Sequence, residues 1–164
     1  MHVVLTDEDF QNPVVVFSDV TTGWESNHPS VAYVDRAGLS GKWAVAFART
    51  NTASQIRVLL HDGGNTTPGS GSLVFLPVTV PNWTDHDPDI GGSRSTDNAL
   101  VVYESDSPFA GNELYRVMIN AELGTFGPAA LLAPTPVGSG IPNRANPSVS
   151  KVSDGSPLSW MTIV

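Results

Sequence analysis

The stretch Asn27-His28-Pro29-Ser30-Val31 occurs in similar form at two later places in the chain, and this repetition decides the fold. The later copies are His86-Asp87-Pro88-Asp89-Ile90 and Ala145-Asn146-Pro147-Ser148-Val149. Consecutive copies stand 59 residues apart, and we call the three copies the anchors. A constant spacing identifies an internal repeat, and a repeat must be recognised before other features because it sets the architecture.

The same order of segments follows each anchor. A short alternating segment leads to a turn rich in Gly, Ser and Asp, and then to an apolar strand that carries Phe47, Tyr103 or Trp160 near its end. A third strand is predicted at residues 56–60 and 115–119, and a looser fourth at 73–80 and 129–137. Because no apolar period of 3.6 persists for ten residues, we expect almost no helix and an all-β chain.

The two chain ends complete one another. Residues 2–5 and 14–17 resemble the third and fourth strands of a unit, whereas only the first two strands follow the last anchor. The sequence therefore predicts a single domain, residues 1–164. It divides into a half unit at 1–27, whole units at 28–86 and 87–145, and a second half unit at 146–164. Together these make about three units, with one unit shared between the N- and C-termini.

A four-stranded unit of this length resembles the blade of a β-propeller, as in sialidase-like propellers and bacterial extracellular repeat proteins. In those proteins an Asn/Asp-Pro-x-Val opening leads to an apolar strand bounded by aromatic residues. The matching residues here are His28-Pro29-Ser30-Val31 with residues 43–47, and Asn146-Pro147-Ser148-Val149 with Trp160. The resemblance implies a β-propeller-type repeat of four-stranded blades. The sialidase Asp-box, S-x-D-x-G-x-x-W, is absent, since residues 153–155 have the wrong spacing.

Propellers usually close with four to eight blades, so three blades would leave too tight an angle. We expect a homo-oligomer, a dimer that forms a six-bladed ring. In it, the C-terminal strands of one copy and the N-terminal strands of the other would build each shared blade. Unpaired strand edges act as templates for further pairing, and dimerisation would satisfy them. The alternative is a fragment or shortened repeat array whose edges are covered by loops.

Composition limits the possible partners. The chain has 164 residues, 40% of them hydrophobic, and a formal net charge of −8. Such a surface repels phosphate, so nucleic acid and anionic membranes are not expected partners. No apolar run approaches the length of a membrane helix, and residues 1–3 do not resemble a targeting segment. Without cysteine there are no disulfides or thiolate metal sites, which leaves an extracellular setting or a bacterial or viral surface open.

His28, Asp87 and Asn146 occupy one repeat position, directly before the anchor proline. Proline disfavours helical backbone in the residue that precedes it, so we expect all three to be extended. In a propeller they would stand at the entry to the innermost strand, where a ring of polar groups could bind a sugar, an ion or water. The alternative is an Asx-Pro turn, in which each side chain bonds to the nearby backbone.

Trp24 and Trp83 each stand five residues before an anchor proline. A loop tryptophan can stack on a pyranose ring, and it can equally fill the space between blades. A lectin keeps equivalent residues in every repeat, whereas an enzyme concentrates unlike residues in one site. The repeated positions therefore favour a non-enzymatic, carbohydrate-binding module with a glycan as its ligand, and a purely structural or assembly role is an alternative.

Two other interpretations concern the acidic second anchor. Asp85, Asp87 and Asp89 could hold Ca²⁺ through carboxylate oxygens, although a solvated acidic turn explains them as well. No other cofactor is expected. The pair Asp87-Pro88 also resembles the first-blade Asp of five-bladed glycosidases, which implies a glycoside hydrolase-like enzyme or a remnant of one. Hydrolysis requires a second carboxylic acid, for which Glu104 and Glu113 are the candidates.

Overall fold

The computed structural model describes residues 1–6, 9, 11–35, 40–51, 54–76, 84–107, 111–132, 146–153 and 162–163. Every helix or strand element among them is a strand, so the predicted all-β class is confirmed. No helix long and apolar enough to cross a membrane occurs in these ranges. The strands are β1 (His2–Leu5), β2 (Val14–Ser18), β3 (Glu25–Val34), β4 (Lys42–Thr50), β5 (Ser54–Asp62), β6 (Ser72–Phe75), β7 (Thr84–Ser93), β8 (Asn98–Ser107), β9 (Gly111–Asn120), β10 (Thr125–Phe126), β11 (Ala130–Leu131), β12 (Ser148–Val149), β13 (Val152–Ser153) and β14 (Thr162–Ile163).

Two antiparallel sheets form the centre of the molecule. The first has the order β3-β4-β5-β6, so chain neighbours are also sheet neighbours. The second repeats this order with β7-β8-β9, but its fourth position is taken by the short strands β10 and β11, which both pair with β9. The strand β13 extends this sheet by pairing in parallel with β7. The strands β6 and β11 fall within the predicted fourth strands or overlap them, and residues 77–80 and 133–137 of that prediction lie outside the described residues.

The ends of the chain form two further antiparallel pairs, β1 with β2 and β12 with β14. These pairs are separate sheets, and no strand pairing between described residues joins them. Among the described residues the two pairs stay separate, and the division of the chain into units and half units remains a prediction.

Alternating side chains give the central strands two apolar faces. On β4, Val45 and Phe47 pack with Leu59 against the side of the N-terminal pair, where they meet Met1, Val3 and Phe17. The alanines between them lie in the layer shared with the second sheet: Ala44, Ala46 and Ala48. A run of apolar residues with no polar alternation is typical of a strand that is buried on both faces, as the sequence of β4 indicates.

The strand β8 continues this layering. Val101 and Tyr103 are fully buried in the layer shared with the first sheet. Leu100 and Val102 point the other way and pack with Val149 of β12. Full burial of one such side chain stabilises the fold by roughly 1.5–3 kcal/mol. The sheets are therefore stacked face to face in chain order. One face of each central sheet packs against the preceding unit, and the other face packs against the next unit.

The first strands of the three units lie side by side. The backbone N–H of Asp35 donates to the carbonyl of Ser93 at 2.7 Å, and the N–H of Gly92 donates to the carbonyl of Lys151 at 3.2 Å. Gly92 is essential for this approach, because a Cβ built on it would overlap the carbonyl oxygen of Tyr33 on β3. The three anchors are consequently brought to one place at the centre of the molecule.

We expect Gly92→Ala to lower the free energy of unfolding by about 2–3 kcal/mol, since the added methyl group must push two backbones apart. Urea unfolding followed by circular dichroism measures the change. Gly64→Ala is the matched control, because a Cβ at Gly64 meets nothing within 4 Å. Equal stability of the two variants would contradict the close approach of β3 and β7.

Candidate functional site

The residues before the anchor prolines have left-handed backbone. Their φ values are 50° at His28, 46° at Asp87 and 55° at Asn146. The prediction that proline holds them extended is wrong. In β3 and β7 the cause is a β-bulge, since the register shifts between Asn27 and Ser30 and again between His86 and Asp89. Asn, Asp and His enter this conformation more readily than other non-glycine residues, so the residue types themselves carried the signal.

An open pocket of about 450 Å³, with polar and apolar surface in similar amounts, lies where the three anchors meet, and we call it the anchor pocket. The structure thus places His28, Asp87 and Asn146 around one cavity, together with the two residues that follow each of them. The lining residues are His28, Pro29, Ser30, Asp87, Pro88, Asp89, Asn146, Pro147, Ser148 and Lys151.

The residues after the anchor prolines bind one another across the pocket. Asp89 accepts a hydrogen bond from the hydroxyl of Ser30 and, at 3.3 Å, one from the hydroxyl of Ser148. It also accepts the backbone N–H of Val149 at 2.8 Å. Ser30, Asp89 and Ser148 are equivalent in the repeat. Sequence reasoning concentrated on the residue before proline and missed this position, although a polar residue in all three copies was the available signal.

Lys151 completes this network. Its ammonium group contacts the carboxylate of Asp89 and donates to Ser30 Oγ at 2.7 Å and to the carbonyl of Ile90 at 3.0 Å. Burial of Asp89 opposes its ionisation, but the bonds from Lys151, Ser30 and Val149 outweigh burial and lower its pKa. Asp89 is therefore an ion-paired structural acid, and Asp87 is the other carboxylate that lines the pocket.

The pKa of Asp89 predicts how stability depends on pH. Because the folded-state pKa lies below the ordinary value of 3.8, Asp89 stabilises the fold above that pH and the contribution is lost as pH falls through the folded-state pKa. We expect Asp89→Asn to lower the free energy of unfolding by about 1–2 kcal/mol at pH 7. The difference in the free energy of unfolding between Asp89→Asn and wild type should narrow below about pH 3.8.

Urea unfolding at pH 7 and pH 3 measures this gap. Asp62→Asn is the control, because Asp62 pairs with Lys42 at 3.3 Å but its side chain is 58% exposed. An exposed pair is worth at most about 1 kcal/mol, so the control should change little. A gap for Asp89→Asn that stays constant between the two pH values would count against the ion pair.

Asp87 lies between two imidazoles. One carboxylate oxygen contacts Nδ1 of His28, and the other is 2.8 Å from Nδ1 of His86. The second ring nitrogen of His86, Nε2, is 3.0 Å from Asp106 Oδ2. Burial of the imidazole opposes its protonation, but the bonds to Asp87 and Asp106 outweigh burial and raise the pKa of His86.

Glu104 connects this group to the third anchor. The residue is 2% exposed, and its Oε1 accepts the backbone N–H of Asn146. Its Oε2 lies 4.0 Å from Nδ1 of His86. Among the described residues, His86, Asp87 and Glu104 form the group of three whose ligand atoms lie close enough together to suit a metal ion.

The three carboxylates expected to bind Ca²⁺ point to different partners. Asp85 accepts the hydroxyl of Ser105 at 2.6 Å, Asp89 pairs with Lys151, and Asp87 lies between the two histidines. Alternation along a regular strand would have placed all three on one face, but the bulge between His86 and Asp89 breaks it. In the described part of the chain they do not form a common ligand group.

Trp24 does not line the anchor pocket. The guanidinium group of Arg49 lies over its ring, 4.3 Å from the centroid, and occupies one ring face. Arg49 is held in turn by Asp19, with Nε 2.6 Å from Oδ2. Burial of Asp19 opposes its ionisation, but the bonds from Arg49 and Thr21 lower its pKa. The other predicted tryptophan, Trp83, lies outside the described residues, as does Trp160.

The proposed second acids of a glycosidase are not presented to the pocket. Glu104 is buried and bound to the third anchor, and it does not line the cavity. Glu113 accepts the phenol of Tyr115 at 3.1 Å. Burial, together with this carboxylate, raises the pKa of Tyr115 to about 12. Neither residue belongs to the lining of the anchor pocket that Asp87 shares.

No family model, no curated protein and no solved structure matches this chain. The chain's own geometry is therefore what indicates a function. Its main features are an open pocket built by equivalent residues of three repeats and a histidine–carboxylate cluster beside it.

Proposed function

We propose that this protein is a non-enzymatic binding module of β-propeller type, and that its anchor pocket binds a carbohydrate. The observation that carries the proposal is that three repeats contribute equivalent residues to one open pocket. A volume of about 450 Å³ falls within the usual range of small-molecule sites.

The chemistry of the lining suits a sugar. The Asn146 amide, the Asp87 carboxylate and the Ser148 hydroxyl supply donors and acceptors for ligand hydroxyl groups. The exposed ring of Pro29 supplies apolar surface beside them. A pyranose has the same combination of hydroxyl groups and apolar C–H faces.

The stacking of sheets supports a propeller-type arrangement. Each unit uses one face for the preceding sheet and the other for the next, and the first strands of the units converge at the centre. Sheets that pack in chain order around converging inner strands are the organisation of propeller blades.

Binding is favoured over hydrolysis because of the acids in the pocket. The lining carboxylates are Asp87 and Asp89, and Asp89 is neutralised by Lys151. A glycosidase needs one acid to protonate the leaving group and a second to act as base or nucleophile. An ion-paired Asp with a lowered pKa is a poor proton donor, so the pocket suits recognition better than catalysis.

A glycan array tests this function. We expect the double variant His28→Gly, Asn146→Gly to lose at least about tenfold in affinity, because two side chains that line the pocket are removed. Both substitutions retain residues that tolerate positive φ. The control is Asn12→Gly, which makes the same change at an exposed residue of φ 49° outside the pocket. Absence of any glycan ligand for wild type, or equal binding by the double variant, would refute the proposal.

We further propose that two copies complete one ring, with β12 and β14 of one chain beside β1 of the other. No described strand pairs with the second edge of β1. Next to this strand lies an apolar cavity of about 440 Å³ lined partly by Val31, Trp43 and Val45. Val31 is 52% exposed, and Trp43 is also exposed. A strand pair from a second copy would cover this surface and satisfy the strand edge.

Light scattering after size exclusion tests the assembly. We expect a mass of twice 17.3 kDa for wild type and a monomer for Val31→Asp, since the new charge would be buried in the interface. Val20→Asp is the control, because Val20 is 74% exposed and lies away from the cavity. A wild-type mass of 17.3 kDa at micromolar concentration would rule out this assembly.

A further inference from the structure

His86, Asp87 and Glu104 each bring one metal-ligating atom to the same place beside the anchor pocket. These three atoms lie within 4.8 Å of one another. We propose that they form a binding site for a first-row divalent transition metal ion such as Zn²⁺. This site goes beyond the proposed carbohydrate binding and does not depend on it.

The backbone brings these residues together by a specific device. His86 and Glu104 are direct partners across β7 and β8. Adjacent residues of a regular strand point to opposite faces, so Asp87 would normally point away from His86. The bulge after His86 and the φ of 46° at Asp87 turn its carboxylate back, to 2.8 Å from Nδ1 of His86.

The carboxylate of Asp106 lies beside the ring nitrogen of His86 that faces away from the other two residues. Its Oδ2 is 3.0 Å from Nε2 of His86, while Nδ1 faces the two proposed carboxylate ligands. In metal sites the nitrogen that does not bind the ion typically donates to a carboxylate, which sets the tautomer and orients the ring. A group of acids alone would lack this arrangement.

Charge and burial also favour a cation here. Glu104 is 2% exposed, and three carboxylates surround the single imidazole of His86. A buried carboxylate is costly unless opposite charge compensates it. A divalent ion would balance the charges of Asp87 and Glu104, while the N–H of Asn146 binds the other oxygen of Glu104.

The donor set selects the kind of metal. One imidazole nitrogen with two carboxylate oxygens suits Zn²⁺ and similar ions, which bind three protein ligands and keep a further position open. Ca²⁺ prefers six to eight oxygen ligands, which this group does not supply. His28 contacts the other oxygen of Asp87 with Nδ1, so a second imidazole stands beside the site.

Calorimetric titration of the EDTA-treated full chain with ZnCl₂ and with CaCl₂ tests the site. We expect one Zn²⁺ per chain and no measurable Ca²⁺ binding. His86→Gln should weaken Zn²⁺ binding by more than about 100-fold, and Asp106→Asn by about 10- to 100-fold. His2→Gln is the control, because His2 is exposed on β1, and this variant should leave Zn²⁺ binding unchanged. Failure of wild type to bind Zn²⁺, or equal binding by His86→Gln, would overturn the proposal.

Two measurements keep the test decisive if a buried substitution prevents folding. Asp106 has a side chain that is 47% exposed, so Asp106→Asn is expected to fold, and circular dichroism checks this. The second measurement is the visible spectrum of wild type loaded with Co²⁺, which requires no variant. A weak spectrum typical of the hydrated six-coordinate ion would count against the site. If wild type binds Zn²⁺ but no glycan, the carbohydrate pocket is rejected and the metal site is retained.

Discussion

The close approach of the first strands at the centre of the molecule is the constraint on which the rest depends. Gly92 allows β7 to touch the backbone of Tyr33, and hydrogen bonds from Asp35 and Gly92 tie the strands of all three units together. With these strands held in this way, the strands that follow β3 and β7 pair in chain order, and the apolar faces of the two sheets stack. The apolar layers around β4 and β8 and the polar pocket between the anchors are thus two results of one arrangement.

Convergence of the anchors creates an electrostatic problem that the local residues resolve. In a chain of net charge −8, the second anchor alone brings Asp87 and Asp89 to the centre. One of only two lysines in the sequence, Lys151, lies against Asp89, and two histidines flank Asp87. Carboxylates at a crowded, half-buried site are stable only with such compensation. Asp89 is thus held in an ion pair that stabilises the fold, whereas Asp87 remains open to the pocket.

The bulge before each of the first two prolines links fold to function. It turns the pre-proline side chains toward one another, which builds the anchor pocket, and it returns Asp87 to His86, which builds the proposed metal site. Asp87 belongs to both. Occupation of one site by its ligand is therefore expected to alter the affinity of the other, because one side chain belongs to both.

The amino-acid sequence alone determined the repeat, the order of the first three strands in both central sheets, the all-β class and the equivalence of His28, Asp87 and Asn146. These follow from spacing and from alternation, which are local properties of the chain. The left-handed backbone of these residues, the pairing of Asp89 with Lys151 and the covering of Trp24 by Arg49 depended on the tertiary structure. Asp89 and Lys151 are 62 residues apart, and only the packing of separate units decides that they meet. The repeat in the sequence identifies equivalent residues. Whether those residues touch one another depends on how closely the strands of different units pack, which the tertiary structure decides.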